Sequence, residues 1–160
     1  MENPLRAFAL ACFALVLPTF VSAAEGPKPV SWTELAGAPS AVETEVRLEG
    51  YLLPVDREND LVYEFLLVPW PGACIHTVAP PPDQLVRVTP AQPYRLSEIY
   101  EAVAVSGRLV AADERQQVLM IDGVKELDSA YGIARAAVVH ASVAAPPLSG
   151  NANPWRKIVK

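Results

Sequence analysis

Polar and apolar side chains trade places at every second position in "VRLEGYLLP", residues 46–54. Val46, Leu48 and Leu52 alternate with Arg47, Glu49 and Tyr51, so an extended chain buries the first set and leaves the second to water. The pattern predicts a strand that ends at Pro54. The turn "DREND", 56–60, leads into "LVYEFLLVP", where Leu61, Tyr63, Phe65 and Leu67 share a face, and the two segments read as a hairpin. Further strands are expected at 84–88, 102–110, 116–121 and 134–143. Ahead of them all, "SWTELAG" offers Ser31 as a helix cap, Glu34 three residues later and Gly37 as the stop. Trp32 and Leu35 of that turn are expected to close one end of the core. "RLSEIYEA", with Ser97 as its cap, predicts a second short helix, and "GVKELDSAYG" a short helical or irregular link.

Six short strands with no long helix between them predict a mainly β chain closed as an antiparallel barrel or sandwich. The expected fold is a small antiparallel β-barrel, OB-like, with short helices. Gly50 and Gly107 each interrupt a regular strand pattern, which fits a bend, a bulge or a close backbone approach.

The ends read differently from the middle. Arg6, the apolar run after it and "SAA" have the charge, core and small-residue exit of a signal peptide, predicted over residues 1–24. The apolar run is interrupted by Pro18 and is too short to span a bilayer, so no stable membrane span is expected after cleavage. The β-barrel domain is predicted over 25–148, and the Pro-, Gly- and Asn-containing 149–160 reads as a flexible tail. Such a chain is expected to leave the cytoplasm. Its net charge of −5, with acids and bases interspersed, argues against a phosphate-binding surface and hence against a nucleic-acid partner.

Cys12 sits inside the apolar run and leaves with it, so Cys74 is the one cysteine of the mature chain. His76 stands two residues on. In an extended segment both side chains leave the same face, and a thiolate beside an imidazole suits Zn²⁺ or, with other geometry, copper. "PWPG" before the pair and "PPP" after it restrict the loop, which either preorganises a site or keeps an edge loop from pairing with other strands. Zinc needs three or four ligands. His140 is the second histidine of the mature chain and a candidate third donor, or a hydrogen-bonded strand residue. Asp83 is the nearest carboxylate, a candidate ligand or support for one, or a solvated loop residue.

The order "VSWTELAG", "VRLEGYLLP", "EFLLVPWPGACIH", "PPPDQLVRV", "VAVSGRL" resembles a family of small exported bacterial proteins designated only as a domain of unknown function. The resemblance covers most of the mature chain, and its specific part runs from Phe65 to Gln84. It implies a periplasmic protein encoded beside an ABC transporter and a histidine-rich exported protein in zinc-responsive clusters, hence a part in zinc acquisition. Cys74 and His76 carry over as the motif's donors, and His140 does not. Val78 and Asp83 depart from the family's pattern and leave the loop's shape open.

The function expected is therefore a metal-binding accessory protein, not an enzyme, whose partners are ABC transporter components or another periplasmic metal-binding protein. Two alternatives stand beside it. One is a non-catalytic interaction or assembly module of the transporter complex. The other is a thiol enzyme, which the absence of a second mature cysteine and the parallel set of an i, i+2 pair disfavour.

Overall fold

The computed structural model describes residues 26–37, 41–71, 80–98, 100–120 and 123–142. The expected leader and tail, together with Cys74 and His76, lie outside the described residues.

The first turn of structure forms as its sequence predicts. Helix α1, Trp32–Gly37, is closed by a reciprocal box: the Ser31 amide and hydroxyl each donate to Glu34 Oε2 at 2.8 Å, and the Glu34 amide donates to Ser31 Oγ at 3.2 Å. Leu35 is buried beneath it, Trp32 packs at the rim, and the Tyr131 hydroxyl donates to the Leu35 carbonyl at 3.2 Å. The helix thereby closes one end of the core.

Among the described residues seven strands make one sheet: β1 Lys28–Pro29, β2 Glu45–Glu58, β3 Leu61–Val68, β4 Val86–Pro90, β5 Tyr94–Arg95, β6 Ala102–Met120 and β7 Gly123–His140. Their order is β1-β2-β6-β7-β4-β3-β5, and β2 pairs with β3 as well. Pairings therefore run in a circuit through β2, β6, β7, β4 and β3. Within it β4 and β7 are parallel, with Val86 opposite Tyr131 and Val88 opposite Ile133; the other four pairings are antiparallel. The chain is mainly β with little helix, as expected.

Several expected boundaries are corrected. Strand β2 does not stop at Pro54 but continues to Glu58, and the chain reverses at Asn59, which takes the left-handed φ of 55° that asparagine tolerates. Register shifts between Pro54 and Arg57 break the two-residue rhythm of β3, so Val62 is buried and Tyr63 is 38% exposed. The separate strands expected at 102–110 and 116–121 are one strand, β6, and the link "GVKELDSAYG" is strand, paired with β6 from Met120 opposite Gly123 to Ala111 opposite Tyr131. The helix expected after Ser97 is not present among the described residues: the Ser97 amide and hydroxyl are both engaged by Glu101, and Tyr100 has a φ of 59°.

Gly50 and Gly107 sit at close approaches. A Cβ on Gly50 would lie 2.6 Å from the Val68 carbonyl oxygen and 2.9 Å from the Trp32 ring. One on Gly107, beside the register shift between Ser106 and Leu109, would lie 2.7 Å from Ile133 Cγ2.

The second half of β3, Phe65, Leu66, Leu67 and Val68, is buried on both faces. Val46, Leu48, Leu52, Phe65, Leu67, Val86, Val88, Val103, Val105 and Ile133 form one core cluster. Tyr51, Leu53, Leu66, Val68 and Leu85, which alternate with them, form a second with Val118 and Leu127. Those last two residues belong to the outer halves of β6 and β7, an arm that begins at the register shift between Ala111 and Glu114 and packs on the opposite face of β3. Tyr51, expected to meet water, is 6% exposed for that reason.

Arg87 ties the arm down. It donates to both carboxylate oxygens of Glu64 on β3, at 2.9 and 2.8 Å, and pairs through Nη1 with Glu114 of the arm. Arg87→Ala is expected to cost about 1–2 kcal/mol and to speed amide hydrogen exchange in the outer halves of β6 and β7. Unchanged exchange there would remove Arg87 as the tie.

Candidate functional site: a buried carboxylate and an exposed histidine

Glu101 immediately precedes β6 in phase with Val103 and Val105, so the strand's alternation turns an acid toward the core. Its carboxylate is 3% exposed. A charge so placed needs donors. Oε1 accepts from the Tyr94 hydroxyl at 2.5 Å and lies 3.0 Å from His140 Nδ1, while Oε2 accepts from the Ser97 amide at 2.7 Å and the Ser97 hydroxyl at 2.9 Å. Burial on its own raises the carboxyl's pKa, but the bonds from Tyr94, Ser97 and His140 together outweigh it and hold the group down at about 2. The Tyr94 hydroxyl is pushed well above its ordinary value, first by burial and then by the carboxylate it serves.

His140 is the last residue of β7, opposite Val103, and its side chain is 63% exposed. One ring nitrogen is therefore tied to the interior while the ring stands in water. An exposed imidazole anchored by a buried carboxylate can bind a borderline metal ion or move a proton.

The other sequence candidates fall as follows. Cys74 and His76 lie outside the described residues. Asp83 sits in a 3-10 turn, Pro82–Gln84, and its Oδ1 is buried without a hydrogen-bond partner among the described residues. Gln84 beside it donates to the Trp32 carbonyl at 3.0 Å, and its own Oε1 has no partner among the described residues. Val86, three residues beyond Asp83, faces Tyr131, nine residues before His140 along β7, so the turn and the histidine are held by different parts of the circuit. Among the described residues no three His, Cys, Asp or Glu side chains gather as a metal site, and no helix is long and apolar enough to cross a membrane.

Sequence reasoning missed Glu101. The signal was present in "YEAVAVS", where the acid falls on the same two-residue phase as two valines. A cleft of about 500 Å³ lined by Val30, Trp32, Glu34, Arg47 and Glu49 is a weaker candidate. Its polar groups already serve one another: the Trp32 indole donates to the Glu49 carbonyl at 2.7 Å, and Arg47 pairs with Glu49 at 3.1 Å.

Comparison with known proteins agrees with this architecture. A crystal structure of a DUF3299 family protein from Pseudomonas aeruginosa PAO1 superposes with a TM-score of 0.59 at 24% identity, covering 72% of this chain and 97% of that one. At that identity the likeness speaks for the fold. No curated protein matches the chain. The family model described as "Protein of unknown function (DUF3299)" matches residues 22–139, and the chain belongs to that family.

Proposed function

We propose that this is a periplasmic, non-enzymatic zinc-binding accessory protein that acts with an ABC transporter in zinc acquisition. The observation that carries the reading is the exposed His140 ring, held through Nδ1 by a buried carboxylate. Cys74 and His76 supply the motif's thiolate and second imidazole, which with His140 make a three-donor set that leaves a fourth position for water or for a ligand from the receiving protein. Copper is the alternative metal for the same donors.

Chain reach is compatible with this set. Val68 pairs with Tyr51, Tyr51 with Ala102, and Val103 with His140, so three strand spacings of about 4.8 Å separate the end of β3 from the histidine, roughly 14 Å. The eight residues from 69 to 76 span up to about 26 Å when extended. Asp83, whose Oδ1 has no hydrogen-bond partner among the described residues, is the carboxylate proposed to support a donor of that loop.

The circuit of five strands with one parallel pair supports the small OB-like barrel of the sequence reading. OB folds bind nucleic acid and sugar chains on the face of their second and third strands. At the corresponding strands here, β3 and β4, Leu66 and Val68 of β3 and Leu85 just before β4 lie beneath Val118 and Leu127 of the arm. With the net charge of −5, that filled face supports the exclusion of nucleic acid as a partner.

Anaerobic zinc titration of the native protein and of Cys74→Ser, His76→Ala and His140→Ala tests the proposal. Each variant is expected to bind at least about tenfold more weakly. Equal affinity in all four would remove these residues from any zinc site. The second reading, an assembly module for the transporter complex, is favoured by Leu119 and Val124, which face each other on the arm at 79% and 62% exposure. Partner association that survives loss of both Cys74 and His76 would support it.

A further inference from the structure

We infer that Glu101 is a positioning residue that fixes His140 as the Nδ1–H tautomer and turns the Nε2 lone pair outward, ready for a borderline cation. The inference rests on the zinc-binding reading for what the lone pair meets, but not for the tautomer itself.

An ionised carboxylate only accepts hydrogen bonds. Glu101 Oε1 stands 3.0 Å from Nδ1, so that nitrogen carries the proton, and in the neutral ring Nε2 is left with the lone pair. Two strand contacts hold the backbone here: one ties Glu101 to β2, and the other sets the distance between the segments that carry Glu101 and His140. The Leu52 amide donates to the Glu101 carbonyl at 2.9 Å, and the Ala141 amide donates to the Ala102 carbonyl at 2.9 Å, one residue on from each partner. Ser97 holds Oε2 with two bonds and Tyr94 holds Oε1 with one, so the carboxylate cannot swing away from the ring.

Stability alone is a poor reason for the pair. An ion pair or hydrogen bond to a side chain as exposed as His140 adds little to stability, and Glu101 keeps three donors without it. What the carboxylate adds is orientation. Partners of this kind on a ligating histidine change metal affinity by about 10- to 100-fold.

The test is nitrogen-15 NMR of the two histidine rings in the metal-free, full-length protein at about pH 8, with His76→Ala used to assign His140. Native His140 is expected as the Nδ1–H tautomer, and Glu101→Gln, whose amide both donates and accepts, is expected to give a mixture. Ser97→Ala, which keeps the carboxylate, is expected to preserve the native tautomer. A native Nε2–H tautomer, or an unchanged tautomer in a folded Glu101→Gln protein, would overturn the inference. Should Glu101→Gln fail to fold, the native spectrum still decides. Zinc is then added: a shift of His140 Nε2 in the native protein, with affinity about 10- to 100-fold weaker in Glu101→Gln, supports both readings. A correct tautomer with an Nε2 signal unmoved by zinc leaves the positioning intact and removes His140 from the zinc site.

Discussion

Leu66→Ala and Leu67→Ala are each expected to lower the free energy of unfolding by about 2–5 kcal/mol, although the two residues point to opposite faces of one strand. Both side chains are fully buried. Leu67 belongs to the cluster with Leu52, Phe65 and Val86, while Leu66 packs with Val68, Leu85, Val118 and Leu127. In an antiparallel sheet wetted on one side, one of two successive residues would tolerate truncation. Here the arm of β6 and β7 removes the wet side. Urea unfolding of the two variants reads the difference. A cost for Leu66→Ala within about 0.5 kcal/mol of zero would mean that the arm does not cover that face.

Acid should weaken the protein through Glu101 in a defined window. The carboxyl's folded pKa is about 2, against an ordinary value of 4.5. The unfolded chain therefore takes up the proton first as pH falls. Stability from this group is complete above about pH 4.5 and is lost progressively toward pH 2, with a total of about 3 kcal/mol for a shift of this size. Glu34 and Asp128 also have lowered values, through bonds from Ser31 and Arg115 respectively, and both are retained in Glu101→Gln. The difference between native and Glu101→Gln stability over this range therefore isolates Glu101. Parallel acid profiles would contradict the four-bond description of the carboxylate.

The parts of the fold that were legible in the sequence are those decided by local chemistry. Ser31 and Glu34 stand three apart and close α1, and the alternation of Val46, Leu48 and Leu52 places β2 in the core. Of the arm, only the strand expected at 116–121 was legible, and neither its continuity with 102–110 nor its partner in β7 was. The arm's polar residues, such as Arg115 and Asp128, pair across the two strands on an exposed face, with Nε to Oδ1 at 2.7 Å, so the segment lacks the apolar rhythm of a core strand. The run "FLLV" held the complementary signal, because a strand without polar positions is buried on both faces. Of the site, His140 was visible as a candidate by residue type. Glu101 showed its buried phase in the sequence but not its role, because Tyr94, Ser97 and His140 are brought to it only by the closure of the sheet.

X-ray absorption at the zinc edge of the zinc-loaded, full-length protein bears on the proposed function without relying on any variant. A shell of one sulfur at about 2.3 Å and two nitrogens at about 2.0–2.1 Å is expected from Cys74, His76 and His140, with one lighter atom completing four. A first shell of oxygen alone, with no sulfur, would contradict zinc binding by these residues.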